Sequence, residues 1–338
     1  MIDRVVYLLG YTKEGSHTNW YPWYRFYRVF KHLGINVKWV EKEDIGNEDN
    51  RIFICWNTPD LATLVNDGIY KEGDTILQKL TSLSIYDKGK EGNWGKTWDE
   101  CFEFFKNFRW SHHKILEDAY DADIDVWGWG ARTTWEEFPE KSRIINKLED
   151  RIVHVPWGSS LYSYDDVMNC KPQMDNLDFD IGYVGSIWGT AGRGNIDMVG
   201  QFLEPLNTPD YKWALAGMGT QRGPVNDDEH KQILRHSKVC PIVHALSWKV
   251  EKGIMDRFWS IFTTGRFGVS DNEGVLEFFN EDEVVWATDV DEWLDKTRYY
   301  IKNVDKQLPY IEKIQKRIRE EYNWYKTWEN FFNKVKRG

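Results

Sequence analysis

Residues 251–289 read EKGIMDRFWSIFTTGRFGVSDNEGVLEFFNEDEVVWATD, and the order of patterns within them decides the fold class. Ile254, Met255, Phe258, Ile261 and Phe262 fall at helical spacing, and the run stops at Gly265. A short strand over 267–270 follows at once, then an acidic loop, a second helix and another short strand over 284–286. Helical spacing that gives way directly to a strand predicts an α/β unit wound on a parallel sheet. Ligands of such sheets bind outside the carboxyl ends of the strands, against helix N-termini.

The same alternation extends toward the amino terminus. Strands are expected over 179–184, 213–216 and 239–243. In the first half, a buried strand over 5–9 is followed by a turn-rich loop over 10–19. Trp23, Phe26, Tyr27, Phe30 and Leu33 then mark a helix that Gly34 ends. Further strands are expected over 36–40, 51–56, 80–86 and 152–155, with helices over 60–70 and 99–120. Residues 159–179 lack periodicity and carry Ser, Asp, Asn and Pro, which suits a linker. The expected organisation is one domain over 1–160, a second over 175–310, and a helical tail over 311–338. In that tail Ile311, Ile314 and Ile318 form one apolar stripe, and Tyr325, Trp328, Phe332 and Val335 another.

A chain of 338 residues is long enough for two cores, and 41% hydrophobic residues make it globular. No apolar run approaches the roughly 18 residues that cross a bilayer. The start runs straight into VVYLLG without an n-region or cleavage site, which predicts a cytoplasmic chain with no signal peptide. Cys55, Cys101, Cys170 and Cys240 are scattered, as reduced, buried thiols would be. The net charge of −10 argues against a nucleic-acid partner, which needs clustered Lys and Arg. With 19 Trp, 17 Tyr and 17 Phe, the chain has aromatic faces to spare for sugars or bases, although most belong in the core.

Two stretches carry candidate chemistry. The loop GYVGSIWGTAGRG over 182–194 follows a strand and precedes a helix. Its glycines permit close backbone approach, the helix N-terminus offers N–H groups to an anion, and Arg193 adds charge. It is neither a Walker loop nor a strict GxGxxG. Further on, His244, Lys249, Lys252 and Arg257 surround a strand end and the start of the next helix. Fixed cations there stabilise the charge that grows on a departing diphosphate without needing a metal. No His/Cys/carboxylate group has metal-ligand spacing, and Asp165-Asp166 and Asp227-Asp228 sit in loop-like stretches, so no metal cofactor is expected.

The order of elements over 179–335 resembles the carboxyl-terminal domain of group 1 glycosyltransferases. It is similar above all to the divergent members found in phages and large algal viruses. That resemblance implies the GT-B fold: two Rossmann-like doubly wound domains facing a cleft, with a C-terminal helix crossing back to the first. It also implies a hexosyl- or pentosyltransferase that takes a sugar from a nucleotide-diphosphate co-substrate and passes it to a glycan or other hydroxyl acceptor. Gly185 and Ser186 stand where the family touches the donor diphosphate. Gly217 and Met218 end a strand that resembles its hxhxG segment, leading to the nucleotide pocket. Arg193, His244, Lys249 and Arg257 complete the implied donor side. Asp256 stands near the place of the first acid of the Glu-x7-Glu pair of retaining members, whereas Trp259 or Ser260 stands in place of the second. The resemblance therefore does not extend to a retaining mechanism.

In the first domain, His17 lies in the GSHTNW loop after the first strand, where many inverting members place a catalytic His. Imidazole suits the removal of an acceptor proton because it titrates near working pH. Asp87, Trp127, Trp129 and Arg132 are the candidates for the acceptor side. Two other readings share the fold: a sugar-nucleotide epimerase and a non-catalytic carbohydrate-binding protein.

Overall fold

The computed structural model describes residues 3–13, 20–55, 64, 67–79, 108–111, 152–156, 162–190, 193–245, 248–249 and 253–337. They fall into two compact units, the first including the chain from Trp324 onward.

The first unit is built on a six-stranded sheet. Its strands are β1 (Val6–Leu9), β2 (Val37–Val40), β3 (Ile52–Cys55), β4 (Thr75–Lys79), β5 (Phe108–Ser111) and β6 (Ile152–His154). They lie in the order β2-β1-β3-β4-β5-β6, and every pair is parallel. Strand order reverses between β1 and β3, the switch point at which open α/β sheets bind ligands. His17 follows β1 in the sequence and lies outside the described residues.

Helix α1 (Trp20–His32) buries Trp23, Phe26 and Phe30 at helical spacing and ends at Gly34, whose φ of 69° suits glycine. One expectation here gives way to pairing. Residues 108–111 form a strand inside the helix expected over 99–120, because β4 and β6 flank it and supply its hydrogen bonds. The strand expected over 80–86 lies outside the described residues; β4, with its polar Thr75, Gln78 and Lys79, precedes it. The helix expected over 60–70 is largely outside them too.

The second unit contains α2 (Tyr164–Met168), β7 (Phe179–Val184), a two-residue-stranded hairpin of β8 (Gly189–Thr190) and β9 (Arg193–Gly194), and α3 (Ile196–Leu203). There follow β10 (Trp213–Ala216), α4 (Asp227–Arg235), β11 (Ser237–Val239), α5 (Asp256–Thr263), α6 (Val290–Lys302) and α7 (Leu308–Glu320). Strands β10, β7 and β11 are parallel in that order. Backbone bonds extend the sheet beyond β11. Cys240 N donates to Phe267 O (2.9 Å) and Ile242 N to Val269 O (3.1 Å). Ser270 N then donates to Val285 O (3.0 Å) and Ala287 N to Ser270 O (2.9 Å). The expected segments at 267–270 and 284–286 thus lie in the sheet, although only Ser270 and Trp286 form regular bridges.

The expected linker over 159–179 contains α2, whose N-cap Ser163 accepts from Asp166 N at 3.2 Å. The tail expected as one helical element over 311–338 is two helices. Asn323 Nδ2 donates to Ile318 O (3.0 Å) and Arg319 O (3.1 Å), closing the end of α7. Helix α8 (Trp324–Arg337) then packs on α1: Phe26 lies 4.6 Å from Trp324, and Phe30 lies 5.1 Å from both Trp328 and Phe332. Cys55, Cys170 and Cys240 are buried; Cys101 is outside the described residues. Among the described residues no helix is long and apolar enough to cross a membrane.

Candidate functional site

In the second sheet the strand order reverses between β7 and β11, so Val184 and Val243 end at its switch point. Arg257, from the first turn of α5, spans those two ends. Its Nε donates to Val184 O (3.2 Å) and its Nη1 to Val243 O (2.8 Å). The guanidinium lies 4.1 Å over the Tyr183 ring and is only 6% exposed. Burial raises the Tyr183 phenol above its ordinary range, and the Arg257 charge works against that rise.

Arg257 explains Gly185. A Cβ at 185 would stand 2.0 Å from Arg257 Nη2. Gly217, with φ 130°, is needed for a related reason, since a Cβ there would fall 2.1 Å from Gly185 O. The close approach that the sequence suggests for these glycines is thus made by protein to protein. Gly185 N donates to Ala216 O (2.9 Å) and Ile187 N to Met218 O (2.8 Å), so the loops after β7 and β10 continue the pairing of their strands. Met218 projects outward and is 57% exposed.

Asn195 fixes the loop from the other side. It is buried at the N-cap position of α3, yet its side chain does not cap that helix. Its Oδ1 accepts from Trp188 N (2.8 Å), and its Nδ2 donates to Ser186 O (2.8 Å). Sequence reasoning missed it, although an Asn placed immediately before an apolar helix was a visible signal. Arg193 lies in β9, opposite Thr190 in the hairpin. Its side chain is outside the described residues.

His244 and Lys249 converge on Asp271 rather than on open space. His244 Nδ1 lies 2.7 Å from Asp271 Oδ1, which also accepts from His244 N at 3.0 Å. Lys249 Nζ stands 2.7 Å from Asp271 Oδ2, and both His244 and Asp271 are fully buried. The adjacent Asn272 donates to Gly253 O (2.7 Å). The Asp271-Asn272 pair therefore anchors the chain that leads into α5. Met255, the N-cap of α5, does not cap the helix with its side chain; its Sδ accepts from Arg257 Nη1 at 3.4 Å.

Asp256 opens α5 and is half-buried; its carbonyl accepts from Ser260 Oγ at 2.7 Å. Trp259 is fully buried within 5.9 Å of the Phe278, Phe279 and Tyr322 rings. The two residues standing in place of a second acid therefore belong to the core and the helix backbone. His17, Asp87, Trp127, Trp129 and Arg132 lie outside the described residues, as does Lys252.

Residues 195–333 match the family model described as glycosyl transferase-like. A DNA-modifying beta-glucosyltransferase, solved in the presence and absence of uridine diphosphoglucose, is 13% identical, with a TM-score of 0.54. The match covers 99% of this chain and 100% of that one. The T4 phage beta-glucosyltransferase is 12% identical over 98% of both chains, with a TM-score of 0.51. The same phage enzyme in complex with UDP and Mn2+ is 12% identical over 98% and 99% of the two chains, with a TM-score of 0.52. No curated protein matches the sequence. Likeness at this level of identity speaks for the fold alone: the chain has the GT-B fold.

Proposed function

We propose that the chain moves a hexose from a nucleotide-diphosphate sugar to a glycan or other hydroxyl acceptor, without a metal. The observation that carries this reading is Arg257 bridging the carboxyl ends of β7 and β11 beside the start of α5. A helix N-terminus whose N-cap side chain does not cap it, next to a buried guanidinium, favours a diphosphate and the charge that gathers on it as the glycosidic bond breaks. In this reading the Gly185-Ser186 turn lies under the diphosphate, and Met218, exposed at the end of β10, flanks the nucleoside. His244 and Lys249 act through Asp271, holding the approach to α5. His17 takes the acceptor proton, with Asp256 the other candidate for that step; Asp87, Trp127, Trp129 and Arg132 receive the acceptor. The charge of −10 favours a carbohydrate acceptor over a nucleic acid.

Uridine diphosphate and its sugars are the first ligands to test, because the solved structures of similar fold were determined with them. Uridine diphosphate should raise the melting temperature, since a ligand of the folded state alone stabilises it. Release of nucleotide from the sugar donor should need an acceptor and persist in EDTA. His17→Ala should lower turnover by about 10²–10⁴ with donor affinity little changed, and Asp256→Asn by less. Absence of stabilisation by any nucleoside diphosphate would sink the donor site. Turnover abolished by EDTA and restored by manganese would sink the metal-free route.

A further inference from the structure

We infer that a groove on the outer edge of the second sheet binds a neutral saccharide chain, at a site separate from the switch point. The groove has a volume of about 760 Å³ and is lined by the segment 284–288, helix α6 and Tyr310 of α7. That volume lies within the ~300–1,000 Å³ of ligand clefts.

Its wall is aromatic. Tyr299 is 49% exposed, and its ring meets Tyr300 at 5.1 Å and 88°. Tyr300 meets Tyr310 at 6.0 Å and 87°, so the wall turns through successive right angles, and Trp286 adds a partly exposed indole. Ring faces of this kind pack on the C–H faces of sugars.

The charges narrow the ligand. Lys296 Nζ is committed to Trp286 O (2.7 Å) and Glu292 (2.6 Å). Glu281 and Asp295 are exposed carboxylates on the same groove, Asp295 with one oxygen 3.5 Å from Arg298 Nη1, and the groove lining itself is net negative. Phosphate, nucleotide and sulfated glycans are disfavoured by that balance. Exposed carboxylates that only accept hydrogen bonds suit neighbouring sugar hydroxyls.

The backbone argues against an added peptide strand. Ser270 N and Ala287 N spend their bonds between 270 and 285–287, so the N–H and C=O of Trp286 face away from the sheet. Lys296 covers that carbonyl, blunting the edge against strand addition. Nothing in this assignment depends on the donor site or on catalysis.

The test is electrophoresis of the whole chain through native gels that contain dextran, mannan, starch, laminarin or xylan. At least one polysaccharide should retard the wild type. Tyr299→Ala and Asp295→Asn should each weaken that retardation at least fivefold while melting at the wild-type temperature. If Tyr299→Ala does not fold, Asp295→Asn decides alone, since it exchanges one exposed polar group for another. Retardation by none of the five, or equal retardation of wild type and variant, would overturn the assignment. So would capture of an oligolysine peptide by a chain that no gel retards.

Discussion

Arg257 and Arg266 stand near opposite ends of α5, and both are buried, yet they serve opposite edges of the same sheet. Arg266 spends its guanidinium on the amino-terminal side. Its Nε donates to Ser237 O (2.7 Å), and Nη2 to Lys238 O (2.5 Å) and Gln307 Oε1 (3.0 Å), while Nη1 bonds Gln173 O. Burial lowers Arg266 to about 10, so it stays charged at neutral pH. Arg257 holds two carbonyls at the carboxyl-terminal side and turns its Nη2 toward the Gly185 backbone. The difference is one of sheet polarity. In a parallel sheet the helices begin near the carboxyl ends of the strands, so positive helix ends and cations gather there. The buried cation at the amino ends, Arg266, spends its bonds mainly on carbonyls and closes the fold.

Arg266→Ala should have the largest effect on stability. It leaves several buried carbonyls without a donor, at roughly 1–3 kcal/mol each before relaxation, so a loss on the order of 4 kcal/mol is expected in urea denaturation. Nucleotide affinity of the remaining folded protein should be unchanged. Arg257→Ala should do the converse. Uridine diphosphate binding should weaken by about 1.5–3 kcal/mol in calorimetry, with a smaller loss of stability. If both variants lose stability equally and neither changes binding, the two arginines are equivalent and the distinction collapses.

Asp271→Asn comes next, because it keeps shape while removing the charge shared by His244 and Lys249. A stability loss of about 1–3 kcal/mol is expected, with weaker nucleotide binding as the path into α5 loosens. Unchanged binding would confine Asp271 to the fold.

The smallest effect lies in the first unit, where Tyr7 OH donates to Glu48 (2.6 Å) and Lys38 bonds the same carboxylate. The Lys38 bond first, then that of Tyr7, holds Glu48 at about 2, down from the usual 4.5. A depressed carboxylate contributes stability above about pH 4.5 and loses it as pH falls through about 2. Solvent screens the pair, so the contribution is small. Between pH 5 and pH 2.5 the wild type should lose slightly more stability than Glu48→Gln; equal slopes would remove the ion pair from the account.

Much of the fold was legible because its signals are local. Strands at 6–9, 37–40, 52–55, 179–184 and 213–216, and the helix ended by Gly34, follow from apolar runs and punctuating glycine. Arg257 was legible as a cation beside a strand end and a helix start. Residues 108–111 were not, since Phe108 and Trp110 fit either periodicity and only neighbouring strands choose between them. Asn195 and the partners of Asp271 escaped for a similar reason. A polar side chain in a loop looks solvated until the fold brings a backbone amide, an imidazole or an ammonium to meet it.

By itself, then, the sequence determined that α/β units alternate, where glycine must stand, and which cations lie beside strand ends, because propensity, periodicity and backbone sterics act over a few residues. Only the tertiary structure decided what those groups face. It turned His244 and Lys249 inward onto Asp271, sent Trp259 into the core, and set Arg257 across two strand ends far apart in sequence. Burial and partner choice are properties of distant segments meeting, which no local pattern encodes.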